Sequence, residues 1–369
     1  MEYWRRISEK NMSKASEKKG FIFPVFLLFY HLCFAGIAWQ YILKHQGDAL
    51  RYWNLTEDWA YYLNVGTDVI KWINYPFSEF LQLPLWAGFV LHSLVGYYAI
   101  YELYSFADRK ITGSDRWNRY LLMLIVLLPN LHFWTAIIGK EPLILLATTW
   151  IIIKHSEKRF ATIKYVVGWL LLVLIRPHVT MFLVIAIVST TITANRKWTF
   201  KKYALILGAF LSVLGLYLMT MRLLNRNPWD IAYILKRNNA SLIAFKRAGS
   251  YVPMIDYNWI ERFFALNFRP FFADAQSWLQ VILSVENLFV VLILIFALYN
   301  YIRHYKKVNL NTFSRIAIGF FLVSSLFFIQ RYSCLGIFVR TKIMYMPFLL
   351  IAALQLINQI KTPPSKDQA

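Results

Sequence analysis

RYLLMLIVLLPNLHFWTAIIGKEPLILLATTWIIIK, running from Arg119 to Lys154, places 34 residues between two cations. Two complete bilayer crossings need about 20 apolar residues each plus a turn, so the stretch rises and returns without reaching the far surface. Its middle is broken twice, at Pro129-Asn130 and at Gly139-Lys140-Glu141-Pro142. The stretch from Lys164 to Arg196 repeats the pattern, with 31 residues between its cations and a break at Arg176-Pro177-His178. Each predicts an up-and-down helix pair whose tip stops below the outer surface. Backbone of that kind is tolerated at membrane depth only where it lines a protein cavity. Pro142 and Pro177 suit the first turn of the returning helices, where the missing N–H costs nothing.

Outward from these stretches, the 369 residues are 58% hydrophobic and 18% aromatic, and the apolar runs are continuous, not alternating. Only helices or closed barrels satisfy their backbone in lipid, and continuous runs select helices. The expected fold is an all-α polytopic integral membrane protein with about ten hydrophobic segments, some short and broken at the outer side. Arg5, Arg6, Lys10, Lys14, Lys18 and Lys19 place residues 1–20 in the cytoplasm. Phe21–Leu43 is too long for a signal-peptide core and lacks a small-residue cleavage pattern, so it reads as the first membrane helix. Residues 21–360 form a single membrane domain with outer loops 44–83 and 225–280, and 361–369 is a cytoplasmic tail. Further segments are expected near Pro84–Phe106, Tyr203–Leu224, Glu286–Ile302, Phe313–Gln330 and Ile343–Ile360.

The net charge of +21 does not indicate a nucleic-acid partner, because the cations are spread through short loops and not gathered on one soluble face. Arg196, Lys197, Lys201 and Lys202 are ordinary positive-inside residues. Cys33 and Cys334 make neither a disulfide framework nor a metal site. No zinc spacing, phosphate-binding glycine loop or Ser-His-Asp order is present, so neither metal nor cofactor is expected.

The informative cations are the outer ones: Lys140, Arg176, Arg269, Arg340 and Lys342. Lys140, Arg176 and Lys342 are expected to precede descending helices, whose N-terminal N–H groups carry partial positive charge. A cation added there makes an anion site, and guanidinium matches phosphate oxygens in pairs. The competing reading has these side chains snorkelling to head groups or pairing with nearby acids. Glu141 either neutralises Lys140 or acts as a general base. Asp48, in Gly47-Asp48-Ala49-Leu50-Arg51-Tyr52-Trp53, shares a helical face with Arg51 and Tyr52 and is a candidate base for an acceptor hydroxyl. It is otherwise an ordinary surface acid, with Glu57, Asp58 and Asp68 as rivals. Aromatic residues of the same loop suit either sugar stacking or an interfacial belt. His31, His92 and His132 read as packed histidines, and His178 is the one set beside a cation.

Four stretches together resemble bacterial membrane proteins of surface-polysaccharide assembly: Pro129-Asn-Leu-His-Phe-Trp-Thr-Ala-Ile-Ile-Gly-Lys-Glu-Pro142, Leu174-Ile-Arg-Pro-His178, Phe268-Arg-Pro-Phe-Phe272 and Gly336-Ile-Phe-Val-Arg340. The broader kin are GT-C membrane glycosyltransferases and O-antigen or exopolysaccharide polymerases. The resemblance implies a lipid-linked sugar donor handled at the outer face of the inner membrane, Asp48 in the place of the base, and Arg176, Arg269 and Arg340 on a diphosphate. The first outer loop lacks the paired acids that many GT-C members carry.

The expected activity is glycosyl transfer or polymerisation from a polyprenyl-(di)phosphate-linked sugar. Lys140, Arg176, His178, Arg269, Arg340 and Lys342 would hold the donor, with Asp48 and Glu141 as catalytic carboxylates. Expected partners are the lipid-linked sugar, a glycan acceptor, membrane lipids and other polysaccharide-assembly proteins. A flippase of an anionic lipid-linked glycan, or an assembly scaffold, is the alternative. Uncharged inner halves such as Leu143–Ile153 and Met181–Ile192 offer a transporter little polar path to the cytoplasm.

Overall fold

A computed structural model describes residues 2–111, 116–194 and 198–361. Side chains before Ile22, those of Arg196, Lys197 and Lys201, Asp115 and the tail beyond Lys361 lie outside the described residues, and with them most of the inner cationic clusters. In chain order the helices are α1 Glu2–His45, α2 Asp48–Trp53, α3 Val69–Tyr75, α4 Leu85–Ile111, α5 Arg116–Val126, α6 Pro129–Thr135, α7 Glu141–Ser156 and α8 Ile163–Ile175. They continue as α9 Pro177–Ala194, α10 Phe200–Leu223, α11 Ile231–Ala244, α12 Trp259–Phe268, α13 Trp278–His304, α14 Thr312–Phe328, α15 Leu335–Lys342 and α16 Met346–Lys361. Among the described residues the only β pairing is an isolated bridge between Tyr251 and Cys334. The fold is all-α.

Local signals explain the helix starts. Pro129, Pro142 and Pro177 each sit in a first turn, where proline's fixed φ is already helical. Asn258 and Glu261 form a reciprocal capping box on α12. The Asp230, Ser277 and Asn311 side chains cap α11, α13 and α14. In α7 an acid opens the helix and Lys154 and His155 close it, which complements the helix dipole.

The count of about ten segments is corrected downward. Among the described residues three helices are long and apolar enough to cross a membrane: Ile22–His45, Lys202–Leu223 and Trp278–His304. A fourth exists if α15 and α16, bent by 54°, are taken as one span. The rest are shorter or less apolar, because run length in the sequence measures hydrophobicity and not unbroken helix. The 13 residues of α8 and the 16 of α7 reach roughly 20 and 24 Å at 1.5 Å per residue, short of a hydrocarbon core of about 30 Å. The short up-and-down pairs are therefore present as helices. Two boundaries also move. Lys342 closes α15, and the helix it precedes, α16, begins at Met346 and not at Ile343. Helix α13 begins at Trp278, two turns before the expected start, because Ser277 caps it, and this places Glu286 inside the span.

Helix α4 is central, packing on α1, α7 and α5, while α9 lies between α10 and α14, and α16 packs on α13 and α14. The approach of α4 to the α6–α7 turn depends on a missing side chain. A Cβ on Gly96 would stand 2.2 Å from the Thr135 carbonyl oxygen and 3.0 Å from His31 Nε2. Gly96→Ala is expected to force the turn away from α4 and destabilise the fold by about 1–3 kcal/mol, read as a lowered melting temperature. An unchanged melting temperature would mean that α4 and this turn are not so closely packed. Behind them, His31 and His132 are both buried and share an Nδ1···Nδ1 hydrogen bond of 2.7 Å. His132 Nε2 donates to the Val126 carbonyl at 2.7 Å, so in the neutral pair His31 Nδ1 carries the shared proton. These two, like His92, are packing residues, as expected.

Candidate functional site

Three chain segments meet at one ion cluster. Arg340 Nε donates to Glu141 Oε1 at 2.6 Å and Nη2 to Glu141 Oε2 at 3.0 Å, a two-pronged pair between α15 and the start of α7. Arg340 Nη1 also donates to Asp48 Oδ2 at 3.3 Å, and Asp48 Oδ1 lies 3.5 Å from Arg51. The Arg340 guanidinium sits over the Trp134 ring, 5.2 Å from its centroid. The Glu141 side chain is 1% exposed and that of Asp48 is 42% exposed. Both oxygens of Glu141 are taken by Arg340, so the geometry makes Glu141 a holder of Arg340. Asp48 is the carboxylate that remains open.

A buried relay ties the first outer loop to this cluster. Gly139 N–H donates to His92 Nδ1 at 3.4 Å, His92 Nε2 donates to Asn74 Oδ1 at 2.8 Å, and Asn74 Nδ2 donates to the Tyr52 carbonyl at 3.0 Å. Loop 44–83 is thus anchored on the α6–α7 turn through α4, and Asp48 is carried to Arg340 by packing. The rivals lie elsewhere: Asp68 pairs with Lys71 at 3.1 Å, and Glu57 and Asp58 lie on exposed loop.

Beside the ion cluster stands a further group of cations, of which Lys140 and Arg176 lie in the field of Glu141 together with Arg340. The charges of Arg176, Arg331 and Lys140 all bear on His178, and those of Glu141, Arg176, Arg340 and Asp48 bear on Lys140. Among the described residues none of Lys140, Arg176 and Arg331 makes an ion pair. Arg176 contacts His178 Nε2 only at 3.4 Å, and its Nε is buried without a partner. The hydroxyl of the fully buried Tyr52 is likewise unpartnered, but it lies in the field of Asp48 and Glu141. A buried donor left unmade costs about 1–3 kcal/mol, and the orphan Nε of Arg176, with Lys140 close by, fits an anionic ligand.

Two of the expected donor-binding residues go elsewhere. Arg269 is bound by both oxygens of Asp274, with Nε to Oδ2 at 3.0 Å, and by Tyr257 Oη at 3.0 Å. That guanidinium holds the Asp274 carboxyl below its usual range. Lys342 Nζ donates to Asn287 Oδ1 at 2.7 Å and to the Arg269 carbonyl at 3.2 Å. It faces a cavity of about 30 Å³ lined also by Asn130, Asn267, Asn287 and Glu286. Arg331 and Trp134 were not among the expected site residues. Arg331 shares the outer connection with Arg340, and Trp134 lies within the Pro129–Pro142 stretch, so both had a positional signal.

A second cavity, of about 600 Å³, adjoins the cluster through Trp134. Its walls are mostly apolar and come from α1 (Phe34, Ile37), α6 (Phe133), the start of α13 (Trp278, Ile282) and α15, with His45, Asn130, Ser250 and Gln280 among them. Because α1 and α13 are two of the helices long enough to span a membrane, the cavity opens between membrane-facing elements. No group of three or more metal-ligating side chains is present among the described residues. No family model matches the chain, and no curated protein and no solved structure matches it.

Proposed function

We propose that the protein is a multi-pass enzyme of the bacterial inner membrane, both termini cytoplasmic, that transfers or polymerises sugar from a polyprenyl-(di)phosphate-linked donor at the outer face. The observation that carries this reading is the surplus of cations about Glu141 and Asp48, where Arg340, Lys140 and Arg176 share two carboxylates, with a largely apolar cavity reached through Trp134, the ring under Arg340. An amphiphile with an anionic head and a hydrocarbon tail satisfies both halves.

In the proposed reaction the acceptor hydroxyl oxygen attacks the anomeric carbon of the donor sugar. The bond from that carbon to the phosphate oxygen breaks, and the phosphate leaves with the electron pair. Asp48 takes the hydroxyl proton. Lys140, Arg176 and Arg331 stabilise the charge that develops on the leaving phosphate, in a site where little water screens it. Arg340 holds Asp48 in place while Glu141 holds Arg340.

The test is native mass spectrometry of the gently purified protein beside Lys140→Ala and Arg176→Ala. Neither residue makes an ion pair, so both variants are expected to keep their melting temperature. Each is expected to weaken retention of a bound polyprenyl-phosphate species by about 10- to 100-fold, the equivalent of one hydrogen bond to a charged group. Equal retention in all three proteins, or bulk phospholipid alone in each, would remove the donor site.

A flippase is the second reading, favoured by the cavity holding Glu286 and Lys342 at membrane depth, since ionisable residues there mark transport paths. Donor that is bound but never consumed in the presence of acceptor would select it.

A further inference from the structure

Helix α10 ends at Leu223, and the chain that follows carries the most one-sided charge of the outer segment. From 221 to 250 the cations are Arg222, Arg226, Lys236, Arg237, Lys246 and Arg247, and Asp230 is the only acid. Within this stretch α11 spans 14 residues, and its main packing contact is with its own continuation, Phe245–Arg247. Ile231, Leu235 and Leu242 fall on one stripe at spacings of four and seven. Leu242 is fully buried and anchors the helix, yet Ile231 is 67% and Leu235 52% exposed, with Trp229 beside them 72% exposed. Lys236 and Arg237 lie off that stripe, and Arg237 rests 5.9 Å from the centroid of the Tyr233 ring.

No residue in the apolar window of α10 is buried inside the protein; the helix packs along α9, and its other sides are left for lipid. Seven residues, 224–230, join it to α11 and keep α11 at the level where that span ends. A helix with an exposed aliphatic stripe and basic residues off it lies in the plane of such an interface; in α11 the exposed Tyr233 and Ile243 share the basic side with Lys236 and Arg237. The same end of the molecule holds the cationic site. Partial burial, then the like charges of Arg331 and Arg237, pull the Arg226 guanidinium below its usual range.

We propose that α11 is a docking surface for anionic phospholipid head groups, with Ile231 and Leu235 in the acyl boundary and Lys236 and Arg237 on the phosphates. This surface is the same whether the cationic site transfers its ligand or moves it.

The experiment attaches a nitroxide at Leu235→Cys or at Ala240→Cys, which lies on the opposite side of α11, in a Cys33→Ser background. Buried Cys334 then remains as the only native thiol, and protein without the added cysteine gives the background signal. Each labelled protein is placed in nanodiscs of phosphatidylcholine alone or with phosphatidylglycerol. The Leu235 label is expected to relax with oxygen and to be protected from a water-soluble nickel chelate, and the Ala240 label to show the reverse. Protection at 235 is expected to rise with phosphatidylglycerol, and Lys236→Glu/Arg237→Glu is expected to abolish that rise. Equal nickel access at both positions would put α11 in water and overturn the proposal. A Leu235 label shielded from both reagents would mean that a protein surface covers the helix, with the same consequence. Immersion that is identical in the two membranes would leave no anionic recognition and also overturn it.

Discussion

Arg340→Ala is expected to lower the unfolding free energy by about 3–5 kcal/mol, the usual result of stranding one member of a buried ion pair. Glu141 is 1% exposed and both its oxygens accept from Arg340. Removing the guanidinium therefore leaves a carboxylate at the start of an apolar helix with Lys140 as its nearest cation in the chain. Asp48, at 42% exposure, can turn to water and adds little to the loss. The sequence alone, which treats Arg340 as a free phosphate ligand, implies that Arg340→Ala would silence the protein without unfolding it. The geometry makes it first a stability variant. Arg340→Ala/Glu141→Gln is expected to recover most of the loss, because a neutral amide no longer needs a cation. Arg340→Lys is expected to recover little, since ammonium does not reproduce the paired fork. Thermal unfolding in one detergent, across the four proteins, reads this directly. A melting temperature in Arg340→Ala equal to that of the parent would mean that the pair is not formed in the membrane.

Asp48→Asn is expected to lower the rate of sugar transfer by about 10²–10⁴-fold, the usual share of a positioned proton acceptor, while donor binding stays unchanged. Asparagine keeps the shape and an acceptor oxygen for Arg340 Nη1. Because the side chain is substantially exposed, the change in stability is expected to fall within about 0–1 kcal/mol. The separation of two readouts gives the test its force: donor retention by native mass spectrometry and product formation with acceptor. Loss of donor retention would make Asp48 part of the anion site and not the base. Full activity would pass the proton to another group, and no carboxylate in the cluster besides Asp48 has an open face.

Much of the architecture was legible because the relevant signals are local. Continuous apolar runs dictated helices, and Pro129, Pro142 and Pro177 stand in first turns as their fixed φ requires. The number of crossings was not legible in the same way. A run of apolar residues reports what prefers to leave water, whereas a crossing also needs an unbroken helix of sufficient length. Among the described residues three helices meet that requirement, or four with the bent pair. The start of α13 was misplaced for a related reason: Glu286 looked like a boundary, but Ser277 caps the helix two turns earlier.

The sequence by itself determined the class of chain, the short paired helices and the presence of surplus cations near their tips, since hydrophobicity, proline geometry and charge are properties of residues in order. Only the tertiary structure decided which of those cations are neutralised. Arg340 meets Glu141 across 199 residues and Asp48 across 292, and Arg269 turns to Asp274. Among the described residues Lys140, Arg176 and Arg331 make no ion pair. Whether a buried charge is satisfied depends on what packing brings within about 4 Å, and no spacing along the chain records that distance.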